Sequence, residues 1–284
     1  LGDGAPLSAS TILRLKATWQ AQYAAWQQRD LSQVKLVYLW ADGVYVKAGL
    51  EDAKAAFLVF IGADATGQKK VLAVESGQRE STESWAAVLR DLKRRGLRAP
   101  KLTVADGHLG IWSALATIYP ESAEQRCWNH KLRNVLDTVP RKHQAEVKAA
   151  LQAIATADTA REATALRDTF TRTYRRAHPK TAERLARDWE RMIAYYAFPQ
   201  AHWKHLRTTN IIESPFAAVR LRTSAAKRFA KVDHATALIW KTLLVVEQHF
   251  RKLNAPQLCT TVYDGAIYRG GVPVIPSTRQ LRAA

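Results

Sequence analysis

Two aspartates stand in similar surroundings, Asp42 in "WADG" and Asp106 in "VADG", each after an apolar run and before glycine. A third acid, Glu213, lies in "TTNIIES", at the head of a cationic stretch. Each has an ordinary explanation. Asp-Gly is a common way to leave a strand, and an acid after Asn210 suits the first turn of a helix. Brought together, carboxylates repel unless something positive lies between them, and hard oxygen ligands of this kind suit a divalent ion such as Mg²⁺ or Mn²⁺.

The elements around these acids predict that two of them meet. Positions Ile12, Leu15, Trp19, Tyr23 and Trp26, at spacings of three and four, predict an amphipathic helix after "APLSAS". "VKLVYLWADGVYVK", "AAFLVFIGAD" and "KKVLAVESG" predict three strands in meander order, with Asp42 at or just beyond the end of an apolar strand. "STESWAAVLRDLKRRG" has a Ser start, Glu83 in the first turn and a closing Gly96, the marks of a capped helix. Then come a strand in "KLTVADG", a helix in "LGIWSALATIYP", a short strand in "EQRCW", and a helix ended by Pro140. In this βββαβαβα order the first and fourth strands can pair in parallel through the crossover, which brings Asp42 and Asp106 together. Helical patterns continue over 143–198 and again over 211–252.

Composition narrows the partner. The 284 residues carry 43 Lys+Arg against 25 Asp+Glu, a formal net charge of +18, while 47% hydrophobic residues suffice for a sizeable core. A pI near 10.1 points to a polyanion, above all nucleic acid, over the alternative of an enzyme that is merely basic. Cys127 and Cys259 are too few and too far apart for a secreted disulfide framework, which implies a reducing cytoplasm. No stretch approaches the ~20 apolar residues of a membrane span, and no signal-peptide pattern opens the chain. The chain begins at Leu1 rather than Met, from which we expect that the start of the natural protein is missing.

Other residues offer weaker signals. "CWNH" gives Cys127 and His130 the spacing of half a zinc site, although no second ligand pair matches it and only His143 lies near. A capped, core-facing pair is the alternative. Arg220, Arg222, Lys227, Arg228 and Lys231 form a run of five cations without an acid, suited to phosphates or to a solvated helix face. Trp189, among Tyr195, Tyr196 and Phe198, suits the core, or else stacking on an unpaired base. "SASTILRLK" is similar to the closing helix of a helix-turn-helix, with Ser10, Thr11 and Arg14 available to a DNA groove.

Taken in order, "LSASTILRL", "WADGVYVK", "VADGHLG", "CWNH", "TTNIIES" and "RLRTSAAKRF" resemble the Mutator-type transposases of bacterial insertion sequences, over about residues 4–253. The resemblance implies an α/β fold, an RNase H-like mixed sheet with an α-helical insertion before the last catalytic acid. Its divisions would be 1–31 (remnant of an N-terminal helical DNA-binding region), 32–142 (first part of the core), 143–200 (insertion), 201–253 (C-terminal core helices) and 254–284 (tail). Asp42, Asp106 and Glu213 would be the catalytic acids and the ligands of Mg²⁺ or Mn²⁺, two ions in number. Cys127, His130 and Asn210 would be accessory residues near the site. Two ions between three carboxylates can activate an attacking hydroxyl and stabilise the leaving 3′-oxygen, without a covalent protein–DNA intermediate. The expected function is metal-dependent DNA cleavage and strand transfer, on element ends and target DNA, by a homodimer or higher assembly in the bacterial cytoplasm at the nucleoid. A nuclease without strand transfer, or an inactive DNA-binding derivative, are the alternatives.

Overall fold

The computed structural model describes residues 8–49, 54–77, 80–107 and 109–274. The chain start at Leu1, His108 of "VADGHLG" and the end of the 254–284 tail lie outside the described residues.

Helix α1 (Ala9–Gln27) starts at Ser8, whose hydroxyl accepts the Thr11 N–H. Its second half is anchored. Tyr23 and Trp26 lie edge-on to Trp240 at 5.7 and 5.9 Å between ring centroids, and the Tyr23 hydroxyl donates to the Val74 carbonyl. Its first half, with Arg14 and Leu13, is exposed.

The β-branched and aromatic runs form the expected meander, β1 (Leu36–Lys47), β2 (Lys54–Asp64) and β3 (Lys69–Gly77). Helix α2 (Thr82–Arg94) follows, with the Ser81 hydroxyl accepting the Ser84 N–H, Glu83 in the first turn, and Lys93 and Arg94 in the last. Strands β4 (Leu102–Ala105) and β5 (Ala123–Arg126) then add in parallel beyond β1, with α3 (Leu109–Ile118) as the crossover. The order β3-β2-β1-β4-β5, antiparallel on one side of β1 and parallel on the other, is the RNase H-like arrangement.

Each face of the sheet buries its own layer. Leu39, Leu58, Phe60 and Leu72 pack with Trp85 and Leu89 of α2 and Trp112 and Leu115 of α3. Truncating a side chain as fully buried as Leu89 to alanine should cost about 2–5 kcal/mol. The opposite face, with Trp40, Phe57, Val59, Leu102 and Val104, packs against Trp128 of α4 (Trp128–Leu136) and the helices that follow.

Residues 143–200 are helical as expected: α5 (Gln144–Thr156), α6 (Ala160–Tyr174), α7 (Pro179–Ala186), α8 (Trp189–Ile193) and short 3₁₀ turns. Val147, Leu151, Phe170, Leu185 and Met192 belong to the same apolar cluster as Trp40 and Val104, so these helices share the core of the sheet. After α9 (Trp203–Leu206) come α10 (Asn210–Ala225) and α11 (Val232–Glu247).

The continuous helical pattern over 211–252 is broken in the structure. Residues 226–231 leave the helix because Phe229 pairs with the end of β1: its N–H donates to the Lys47 carbonyl, and its carbonyl accepts the Gly49 N–H. Beyond 253, α12 (Gln257–Tyr263) buries Cys259 and Val262, and β6 (Tyr268–Arg269) pairs with β7 (Val272–Pro273).

Candidate active site

Strands β1 and β4 pair in parallel through Tyr38–Leu102, Leu39–Thr103 and Trp40–Val104. Side chains alternate along a strand, so Asp42, two beyond Trp40, and Asp106, two beyond Val104, share the face of those residues. That face is the one α10 covers, and Glu213 stands in the first turn of α10.

The two Asp-Gly pairs do different work. Asp42 is not at a strand end as expected: β1 runs on to Lys47, with Asp42 opposite Val59 and Gly43 opposite Leu58 of β2. Ladder pairing has overridden the local turn preference. Asp106 does follow the end of β4, and Gly107 adopts φ +100° to turn the chain. A Cβ on Gly107 would lie 2.2 Å from Arg126 Nε. With that space open, Arg126 donates from Nε to the Asp106 carbonyl at 3.3 Å and from Nη1 to Asp188 Oδ2 at 2.6 Å.

Asp42 feels the other two acids, and a fourth joins them. Burial, above all, pushes the Asp42 carboxyl up to about 8; the Gly43 N–H opposes this, while the charges of Asp106, Glu213 and Glu80 raise it further. Glu80 reaches in across Gly43, where a Cβ would sit 2.3 Å from its Oε1, and it hydrogen-bonds the Tyr45 hydroxyl. Sequence reasoning missed Glu80, because nothing in "RESTES" marks this acid as different from its neighbours. Asp42, with the charges of Asp106, Glu213 and Glu80 acting on it, belongs to a hard-oxygen donor set whose repulsion at Asp42 a divalent cation would relieve, so these residues fit Mg²⁺ or Mn²⁺.

"CWNH" and "TTNIIES" meet at this site. The Thr209 N–H and hydroxyl contact Cys127 Sγ at 3.3 and 3.2 Å, and the hydroxyl contacts Glu213 Oε1 at 2.5 Å. Asn129 Nδ2 donates to Asn210 Oδ1 at 2.9 Å, and the Trp128 N–H donates to the Arg207 carbonyl. His130 Nδ1 lies 3.6 Å from Glu213 Oε1. Burial holds His130 below its ordinary range despite the charges of Asp106 and Glu213, so at neutral pH this is a polar contact of an uncharged ring.

Ligand atoms of Cys127, His130 and Glu213 lie within 4.8 Å of one another. Thr209 Oγ1 sits among them, 3.2 Å from the sulfur, 3.5 Å from His130 Nδ1 and 2.5 Å from Glu213 Oε1, so a hydroxyl holds the centre of the group. His143, the nearby candidate for a zinc ligand, packs instead beside His178.

The remaining candidates are spread more widely. Arg220 and Arg222 are exposed on α10, whereas Lys227, Arg228 and Lys231 lie in the turn after it, with Lys227 at φ 56°. Arg220 lies over the ring of Phe216, 5.9 Å from its centroid. Trp189 is in the core: it stands edge-on to Trp128, its indole N–H donates to Thr164, and the Arg167 guanidinium covers its ring. Among the described residues, no helix is long and apolar enough to cross a membrane.

Comparison with known proteins identifies the family. The family described as "Transposase, Mutator family" matches residues 2–252. The transposase for insertion sequence element IS6120 of Mycolicibacterium smegmatis is 42% identical over 271 residues, covering 95% of this chain and 84% of that protein. The transposase for insertion sequence element IST2 of Acidithiobacillus ferrooxidans is 38% identical over 288 residues, covering 100% of this chain and 97% of that protein. Among solved structures, the catalytic domain of Mos1 mariner transposase aligns with 72% of this chain and 96% of its own, at 13% identity and a TM-score of 0.25. With a match over nearly its whole length and relatives this similar, the chain belongs to the Mutator family of transposases.

Proposed function

We propose that this transposase cuts DNA and joins the cut end to a target, using Asp42, Asp106 and Glu213 as its catalytic acids. The observation that carries the reading is the Trp40–Val104 register, from which Asp42 and Asp106 fall on the sheet face that α10 and Glu213 cover. Divalent ions bound by these carboxylates, Mg²⁺ or Mn²⁺ and two in number, would supply Lewis acidity at the attacking and leaving oxygens.

The chain's own residues supply placement. Asp42 is held on a strand paired on both sides, and Arg126 ties down the carbonyl of Asp106. A water or a DNA 3′-hydroxyl attacks phosphorus, a new P–O bond forms, and the bond to the departing 3′-oxygen breaks. Arg220 and Arg222 on α10, with Lys227, Arg228 and Lys231 beyond it, lie on exposed surface on the C-terminal side of Glu213 and suit contacts to the phosphate backbone. DNA, both element ends and target, is the proposed substrate, bound by a homodimer or higher assembly.

The test is incubation with supercoiled plasmid and a labelled duplex ending in a free 3′-hydroxyl, with Mn²⁺ or with chelator. Nicking and end joining that both require Mn²⁺, and that both vanish in Asp42→Asn, Asp106→Asn and Glu213→Gln, are expected. Nicking without joining would make the protein a nuclease. DNA binding without either would make it a DNA-binding derivative.

A further inference from the structure

Thr209 is the N-cap of α10, yet its side chain makes no capping bond to the helix. Threonine at this position ordinarily accepts an N–H of the first turn, a contact whose loss costs about 1 kcal/mol. Here the hydroxyl is turned to Glu213 Oε1 at 2.5 Å instead. A hydroxyl carries one hydrogen, so with that hydrogen on the carboxylate, the 3.2 Å contact with Cys127 is made by the thiol S–H pointing at Thr209 Oγ1. The thiol keeps its proton for this contact because burial pushes Cys127 up from its ordinary range. The same sulfur accepts the Thr209 N–H at 3.3 Å.

Cys127 is itself fastened to the strand that leads to Asp106. Its N–H donates to the Ala105 carbonyl at 2.7 Å, one residue before that aspartate. A chain of contacts therefore runs Ala105–Cys127–Thr209–Glu213, from the end of β4 to the head of α10. Thr209 and His130 both meet Glu213 at Oε1.

We propose that Cys127 and Thr209 are positioning residues, a two-residue clamp that orients the Glu213 carboxylate relative to Asp106. The inference rests on the reading of Glu213 as the third acid. A carboxylate on the first turn of a helix, with free side-chain torsions, would otherwise sample several rotamers, and outer contacts that remove this freedom tune ion affinity. The arrangement also gives the Cys127 and His130 pair a shared contact with the Thr209 hydroxyl.

The test measures Mn²⁺ affinity by titration calorimetry, alongside DNA cleavage and melting temperature. Thr209→Val keeps shape and removes the hydroxyl; we expect Mn²⁺ affinity to fall about 10- to 100-fold, with cleavage falling in step. Thr209→Ser restores the hydroxyl and should recover both to within a few-fold. Cys127→Ala leaves Thr209 in place without its donor, and a several-fold loss of affinity is expected there. It also serves as the deciding variant should Thr209→Val not fold. Wild-type Mn²⁺ affinity in folded Thr209→Val, or in Cys127→Ala, overturns the clamp, as does a Thr209→Ser variant as weak as Thr209→Val. Glu213→Gln separates the two levels: if it binds Mn²⁺ as the wild type does, the clamp falls together with the assignment of Glu213. If Glu213→Gln loses Mn²⁺ while Thr209→Val keeps it, the clamp alone falls.

Discussion

Trp40 and Val104 are register partners on parallel strands, and two residues beyond each stands an aspartate on the same face of the sheet. One is held inside a strand that continues; the other is released into a turn. Asp42 is therefore locked by pairing with β2, while Asp106 depends on Gly107 and Arg126 for its position.

Asp42 ties stability to pH in the metal-free protein. Its carboxyl is pushed up to about 8 in the fold, so the native state holds a proton that the unfolded chain releases near pH 4. The native state thus binds more protons across this window, and stability falls as pH rises from about 4 to about 8. Asp42→Asn should flatten that decline and melt higher than wild type at pH 9, while cleavage is lost. Melting curves at pH 5, 7 and 9 in chelator read this directly, and a wild-type slope in Asp42→Asn would refute it.

Metal affinity should follow the same group in the opposite sense. Ion binding requires the ionised carboxylate, so Mn²⁺ affinity should rise with pH until about 8 and then level off. Titration calorimetry in buffers of different ionisation enthalpy should show proton release at pH 7 that disappears in Asp42→Asn.

Glu80 is expected to matter although no motif includes it. Glu80→Gln removes one negative charge beside Asp42 and should lower the pH at which Mn²⁺ affinity levels off. Gly43→Ala sets a methyl 2.3 Å from Glu80 Oε1 and must displace that flexible side chain. We expect Gly43→Ala to fold, to cleave more slowly, and to be partly rescued by Glu80→Ala in the same chain. Cleavage rates of the single and double variants decide it.

Asp188 joins the helical segment to the Asp106 turn through Arg126, also pairs with Arg191 of α8, and has its own backbone at φ 61°. Asp188→Ala breaks a largely buried ion pair and places alanine in the left-handed region, for a loss of about 3 kcal/mol. Cleavage should fall as well, since Arg126 would no longer be held against the Asp106 carbonyl. Denaturant unfolding gives the first quantity and the plasmid assay the second.

The cations from Arg220 to Lys231 predict a salt effect. Each phosphate contact removed by substitution with Gln should reduce the magnitude of the log K against log salt slope by about 0.9 on duplex DNA. Binding isotherms at several salt concentrations for the Arg220, Arg222 and Lys227 variants check this; an unchanged slope would make the run a solvated surface.

The sequence by itself determined the local pieces. β-Branched and aromatic runs specify the meander, and Ser81, Glu83 and Gly96 specify the limits of α2, because such signals act between near neighbours. The types of the three candidate acids and the cationic excess were equally legible. Only the tertiary structure decided what those pieces become. Asp42-Gly43 reads as a turn, yet pairing with Val59 and Leu58 carries the strand through it. The run after Glu213 reads as one helix, yet Phe229 breaks it by bonding to Lys47 and Gly49. Glu80 enters the site only because Gly43 leaves room, and Thr209, 82 positions along the chain from Cys127, gives up its cap to link that residue with Glu213. These contacts form between segments that meet only once the sheet has assembled, so neither partner carries a local mark of the other.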